Sequence, residues 1–283
     1  MSPELSFALQ LADVADRITM AHFLRPDLQV SEKADFTPVT EADRQTEACL
    51  RAAIRAEYPT HRILGEEFGT DDDDAGSGIG ADPQWIIDPI DGTKNYLRGV
   101  PVWATLIALD TLAGGPGASR EVRVGVVSAP ALGRRWWAEL GHGAWGRTTL
   151  GDFSNSSEHE LAAGAPTPLR VSDVVDIKGA SLAYASLTGW EAYGRLPALL
   201  ELMRKCWRTR GYGDFWSYML LAEGAVDIAA EPELETYDMA ALVPIVTEAG
   251  GQFTSLAGRP GPWGGNAVAT NGHLHAEVLA ALA

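Results

Sequence analysis

Apolar residues recur at helical spacing over residues 4–24, where Leu5, Leu9, Leu11, Val14, Ile18 and Phe23 predict an amphipathic helix. Residues 40–57 repeat the pattern through Ala42, Leu50, Ala53 and Ile54. Thr40 stands where an N-cap belongs, Asp43 three residues on gives a capping-box spacing, and Pro59 stops the helix. Apolar runs at 61–65, 85–87, 102–109, 122–129 and 136–138 predict strands, with a turn over 141–146. The later chain alternates: a strand near 181–184, helices near 195–205 and 217–223, a strand at 226–230, and a helix over 239–249 ended by Gly250-Gly251. Pro244 within that last helix predicts a kink or an early turn. Two polar stretches interrupt the pattern. Residues 71–80 read as a solvated hairpin or insertion, and 150–167 as a loop at a boundary between subdomains 1–150 and 151–283.

A chain of 283 residues with this alternation can bury one large core or two fused ones. Its formal net charge of -16 argues against reading long nucleic acids, which need a basic face. A small phosphate ester is a different case, because bound cations can invert the local field. With two cysteines, Cys49 and Cys206, and no C-x-x-C, neither a structural zinc site nor a disulfide framework is expected, and a reduced cytoplasmic chain is. Glu4, Asp13 and Asp16 interrupt the first apolar segment, so it reads as neither signal peptide nor membrane span.

The informative segment runs from Trp85 to Asn95. Asp88 follows a short strand, Pro89 fixes the backbone, and Asp91 comes three residues later, so a turn here can aim both carboxylates at one point. Gly92 admits a close approach to the backbone, and the amides of Gly92 and Thr93 can bind an anion if a helix starts there. Two such charges 4 Å apart repel by roughly 4 kcal/mol at an effective dielectric near 20. A hard divalent cation with oxygen ligands relieves that, and Mg2+ suits it best. Glu66 and Glu67, Asp238 and Asp43 offer further carboxylates. Each group also has a plain reading: Asp88 as a helix cap with Asp91 in solvent, Glu66-Glu67 as a surface turn, Asp238 as an N-cap, Asp43 in a helix's first turn. No P-loop, G-x-S-x-G or H-E-x-x-H pattern is present, and the six histidines form no ligand pair.

Taken together, Pro38-Val39-Thr40-x-x-Asp43, Gly65-Glu66-Glu67, Asp88-Pro89-Ile90-Asp91-Gly92-Thr93, Asp238-x-Ala240 and Glu248-Ala249-Gly250-Gly251 resemble the inositol monophosphatase family in order and spacing along nearly the whole chain. The resemblance implies an α/β (α+β) layered αβαβα sandwich of the inositol monophosphatase/fructose-bisphosphatase type. It also implies two or three Mg2+ ions per site, replaceable by Mn2+ and inhibited by Li+, and a homodimer acting on a small phosphate monoester. Position by position, Glu66, Asp88 and the Ile90 carbonyl would hold one metal; Asp88, Asp91 and Asp238 would hold another. Gly92 and Thr93 would bind phosphate, Asp43 would pair with Thr93 and with Glu66 place the attacking water, and Glu231 would bind the alcohol.

Within the family the chain is most similar to an actinobacterial histidinol-phosphate phosphatase branch. That likeness rests on Gly99 to Trp103, Arg134 to Trp137, Gly213 to Tyr218, and Thr236-Tyr237-Asp238 where the inositol branch has Cys-Trp-Asp or Pro-Trp-Asp. It implies L-histidinol phosphate as substrate and a step of histidine biosynthesis. A cationic imidazole alcohol calls for carboxylates and aromatic faces. Glu231 and Asp214 are the candidate carboxylates; Trp103, Trp190 or Trp216 stack or belong to the core; Arg208 and Arg210 contact substrate or pair with surface acids. Two alternatives stay open: hydrolysis of inositol 1-phosphate or another sugar-alcohol phosphate, and a catalytically idle member that acts by binding a partner.

Overall fold

A computed structural model of the chain describes residues 1–32, 38–70, 82–113, 119–148 and 164–283. The stretch 71–80 and most of 150–167 therefore lie outside the described residues. In chain order the elements begin with α1 (Pro3–His22), β1 (Val30–Glu32), β2 (Pro38–Thr40), α2 (Glu41–Glu57), β3 (Arg62–Gly65) and β4 (Gly69–Thr70). They continue with β5 (Gln84–Asp91), α3 (Thr93–Leu97), β6 (Ala104–Leu112), β7 (Arg120–Ala129), β8 (Arg134–Glu139), β9 (Ala144–Thr148) and β10 (Thr167–Pro168). Then come β11 (Ser181–Ala183), α4 (Leu187–Ala192), α5 (Leu196–Lys205), β12 (Arg208–Arg210), α6 (Asp214–Ala222) and β13 (Ile228–Glu231). The last are α7 (Thr236–Met239), α8 (Leu242–Glu248), β14 (Gln252–Thr254), β15 (Ala267–Thr270) and α9 (His275–Leu282).

Among the described residues the larger sheet has the order β10-β9-β8-β7-β6-β5-β3-β4, antiparallel except where β3 runs parallel to β5. The smaller sheet has the order β12-β11-β13-β15-β14, with the first three strands parallel. Side-chain alternation along each strand sorts the cores into layers. Trp85, Ile87 and Ile107 point one way, onto Leu5, Leu11, Leu50 and Ile54 of α1 and α2. Ile86, Leu106 and Trp136 point the other way, onto Phe215, Met219, Leu242 and Ile245 of α6 and α8. Those helices meet Ala183, Ala229, Ala267 and Ala269 of the smaller sheet, whose opposite face places Leu182, Ile228 and Val268 against Trp190, Leu199, Leu202 and Val278. The layer order is αβαβα. Small alanines on the inner face let the second sheet approach the middle helices closely.

Local chemistry explains the elements. Thr40 caps α2, with Asp43 Oδ2 accepting from the Thr40 amide at 2.8 Å. Several boundaries differ from the sequence pattern. The strand at 85–87 continues to Asp91, residues 144–148 form β9 rather than a turn, and α6 starts at Asp214 instead of Ser217. The single helix expected over 239–249 is two, α7 and α8, separated at Ala240–Ala241. Pro244 sits in the first turn of α8, where its missing N–H is not needed. Trp103 and Trp190 are fully buried, Trp103 against Phe23 and Tyr96, so core packing is their role. Among the described residues no helix is long and apolar enough to cross a membrane.

Candidate active site

The site grows from an irregularity at the end of β5. Residues three apart on a regular strand face opposite sides of the sheet. Here the register with β6 advances from Asp88↔Leu106 to Asp91↔Ala104, three residues against two. That one-residue bulge turns Asp88 and Asp91 to the same face, the one shared with Ile86 and the middle helices. Thr105 Oγ1 donates to the Pro89 carbonyl at 2.8 Å, and the Ile90 amide donates to Asp88 Oδ1 at 3.0 Å, which holds the bulge. Gly92 follows with φ 87°, and α3 begins at Thr93. A Cβ at Gly92 would stand 3.0 Å from the Val102 carbonyl, so glycine is required both for its backbone and for space.

Asp238, third residue of α7, is brought to the same point. Carboxylate oxygens of Asp88, Asp91 and Asp238 lie within 4.8 Å of one another. Together with Glu66 they line a cavity of about 440 Å³ that also exposes Ile90, Gly92, Thr93, Lys94, Tyr212 and Asp214. Burial, then Glu66 and Asp91, push Asp88 well above the usual carboxylate range. Burial, then Asp214 and Asp238, do the same to Asp91, although the Phe215 amide donates to it at 2.7 Å. Asp238 rises to about 7, chiefly by burial, against a lowering hydrogen bond from the Glu235 amide.

Asp43, in the first turn of α2, stands beside Glu66. Burial raises it to about 6, against the hydrogen bonds from Thr40 that lower it. Its Oδ2 accepts from the Thr40 hydroxyl at 2.5 Å, while its Oδ1 is buried without a partner. The expected pairing with Thr93 is replaced: Thr93 Oγ1 donates to the Ile90 carbonyl at 3.1 Å.

Asp214 opens α6 with φ 49°, a left-handed backbone unusual for a non-glycine residue. Asn95 Nδ2 bridges to it at 3.1 Å and to the Val102 carbonyl at 2.9 Å. Burial raises Asp214 and the Lys94 ammonium lowers it. Glu231, the last residue of β13, is buried next to Asp214 and Asp238. Burial first, and those two charges next, push it well above its ordinary value. Arg208 is not in the cavity wall; its guanidinium donates to the Tyr212 hydroxyl, which is. Arg210 is exposed and donates to the Thr209 carbonyl, and Trp216 packs edge-on to Tyr212 at 5.5 Å. The sequence pattern singles out neither Lys94, Asn95 nor Tyr212; Asn95 meets Asp214 from 119 residues away. Lys94 and Asn95 both lie within the Trp85–Asn95 segment, and that position beside Asp88 and Asp91 is the detectable signal.

Asp43, Glu66, Asp88, Asp91, Asp214, Glu231 and Asp238 thus converge with Lys94 as the cation in the cavity wall among the described residues. An oxygen-rich, charge-crowded donor set of this kind fits a hard divalent cation.

The profile of the inositol monophosphatase family matches residues 1–283. The chain belongs to that family. Membership makes it a phosphatase, a hydrolase of small phosphoric monoesters, and a metal-dependent one. A Streptomyces coelicolor protein called histidinol-phosphatase is 53% identical over 276 residues, 98% of this chain and 95% of that one. A Mycobacterium tuberculosis protein of the same name is 49% identical, covering 99% of this chain and 97% of its own. Among solved structures, an inositol monophosphatase from Zymomonas mobilis superposes with a TM-score of 0.78 at 29% identity, over 100% of this chain and 99% of that one. The layered sandwich is the fold of this inositol monophosphatase family member.

Proposed function

We propose that the chain hydrolyses L-histidinol phosphate to L-histidinol and inorganic phosphate, as a step of histidine biosynthesis. The observation that carries this reading is the similarity, along nearly the whole of both chains, to two proteins called histidinol-phosphatase. The site supports it. Asp214 lines the cavity with Lys94 as the cation in its described wall, and Glu231 is buried beside Asp214 and Asp238, so a cationic alcohol there would supply missing countercharge.

In this reading Asp88, Asp91, Asp238, Glu66 and the Ile90 carbonyl hold two or three Mg2+ ions, with Mn2+ as a substitute and Li+ as an inhibitor. When bound, the cations supply Lewis acidity and charge neutralisation at the phosphoryl group. The chain's own groups do the rest. The first amides of α3, at Gly92 and Thr93, have no intrahelical acceptor and face phosphate oxygens. The Thr93 proton is engaged by the Ile90 carbonyl, so its oxygen is left to accept from the attacking water. Glu66 orients that water from the other side, and Asp43 Oδ1 beside it can take up the released proton. Asp214 and Glu231 orient the alcohol through its ammonium. Arg208 acts through Tyr212. The division near residue 150 then separates most cation ligands from the alcohol contacts. The same reading makes the protein a cytoplasmic homodimer, in keeping with free thiols at Cys49 and Cys206.

Phosphate release from L-histidinol phosphate is the test, run on chelated protein and again after Mg2+ is restored. Activity that vanishes and returns supports the proposal. Turnover that persists in the chelator, or never appears with either Mg2+ or Mn2+, contradicts it.

A further inference from the structure

Asp43 begins a charged stripe on α2. Glu47 lies one turn further and Arg51 one turn beyond that, and all three are buried. Glu47 Oε1 accepts from Arg51 Nε at 2.8 Å and from the Phe68 amide at 3.2 Å, and Oε2 accepts from the Glu67 amide at 2.7 Å. Arg51 also donates to the Gly69 carbonyl. The two amides belong to the turn between β3 and β4 that carries Glu66, and the Gly69 carbonyl to the first residue of β4. Gly65 completes the fit, because a Cβ there would overlap the Glu47 carboxylate.

A buried carboxylate–guanidinium pair gives up the hydration of both ions, and an apolar pair of the same volume is often at least as stabilising. Holding α2 against the sheet therefore does not call for Glu47. Fixing the two amides that follow Glu66 does, since an apolar side chain cannot accept from them. The carboxylate is wholly buried, so its lone pairs are committed to the turn and to Arg51.

We propose that Glu47 is a positioning residue: oriented by Arg51, its carboxylate clamps the Gly65–Gly69 turn and so presents Glu66 to the cation held with Asp88. Glu47 touches neither cation nor substrate; it acts through Glu66, and the inference rests on the reading of Glu66 as a cation ligand. A glutamine at position 47 would set an N–H donor against an amide or against Arg51, leaving the turn free to drift.

Calorimetric titration of the metal-free protein with Mg2+ tests this on wild type, Glu47→Gln and Glu66→Gln, with thermal unfolding of each metal-free form alongside. Glu47→Gln is expected to weaken Mg2+ binding about 10–100-fold, the usual range for groups that orient a ligand. Its kcat falls with it, while KM for the phosphate ester stays close to wild type. Glu66→Gln weakens binding at least as much. A Glu47→Gln protein that melts lower yet binds Mg2+ like wild type, beside a weakened Glu66→Gln, overturns the clamp and leaves Glu47 a packing residue. Wild-type binding by Glu66→Gln overturns the ligand reading itself. Should Glu47→Gln not fold, Glu47→Asp withdraws the carboxylate by one methylene, keeps its charge, and gives the same comparison.

Discussion

Replacing Asp91 by asparagine should separate stability from catalysis. Oxygens of Asp88, Asp91 and Asp238 lie within 4.8 Å of one another. At that distance and an effective dielectric near 20, each ionised pair costs about 3.5 kcal/mol. Two such pairs involve Asp91, and Asp214 and Glu231 add to them, so with every group ionised the repulsion relieved is about 7 kcal/mol or more. The buried acids partly escape by holding protons, as their raised pKa values show, so the gain left for the substitution is about 1–3 kcal/mol. The hydrogen bond from the Phe215 amide survives, because an asparagine oxygen accepts it equally well. Metal-free Asp91→Asn should therefore melt several degrees above metal-free wild type, at about 2–4 °C per kcal/mol for a chain of this size. Turnover moves the other way and falls at least about 100-fold, because a ligand charge at the reacting phosphoryl group is gone. Thermal melts in chelator and in Mg2+, with phosphate release measured on the same samples, read both effects. A variant that melts lower without metal, or that turns over like wild type, refutes the placement of Asp91.

The remaining predictions are narrower. Burial raises Asp43 to about 6 and Asp238 to about 7, above the 3.8 of an unfolded aspartate, so the native metal-free state holds more protons between those values. Titration of Asp43 and Asp238 should lower its stability as pH rises from about 4 to about 7, with Asp43 responsible for about 3 kcal/mol; urea unfolding in chelator shows this, and Asp43→Asn should flatten the slope. Gly92→Ala forces a Cβ toward the Val102 carbonyl at φ 87°, which should cost about 1–2 kcal/mol in denaturant melts and lower turnover as well. Thr40→Val removes the cap of α2 and should cost about 1 kcal/mol in the same melts, with activity lost through Asp43. Glu231→Gln should raise KM for L-histidinol phosphate more than for inositol 1-phosphate; equal effects in steady-state kinetics would discard Glu231 as the amine contact.

What the sequence reveals about this molecule follows the range of each interaction. The Thr40–Asp43 capping box spans three residues and is readable from spacing. So are the apolar run at Trp85–Ile87 and the breaks at Pro59 and Gly250. The bulge that turns Asp88 and Asp91 to one face depends on register with β6, which no local pattern encodes, and a plain spacing argument takes the strand to end before Asp88. The separation of α7 from α8 is equally invisible, because Met239, Leu242, Ile245 and Val246 keep a continuous apolar face across the break. At the site, family resemblance groups residues from five segments. The contacts that hold them, Glu47 to the Glu67 amide and Asn95 to Asp214, join positions 20 and 119 residues apart. Thr93 and Asp43 look like partners by resemblance, yet each has a nearer one in Ile90 and Thr40.

The central claim is selection of a cationic alcohol by a metal-dependent phosphatase site. The most direct measurement is kcat/KM for L-histidinol phosphate and for inositol 1-phosphate, side by side in saturating Mg2+. Two charge-assisted hydrogen bonds from the ammonium, accepted by Asp214 and Glu231, contribute about 3 kcal/mol or more, so a preference of at least about 100-fold for L-histidinol phosphate is predicted. Equal rates, or a preference for inositol 1-phosphate, would contradict that selection while leaving fold and metal site intact, and no turnover of either would contradict catalysis itself.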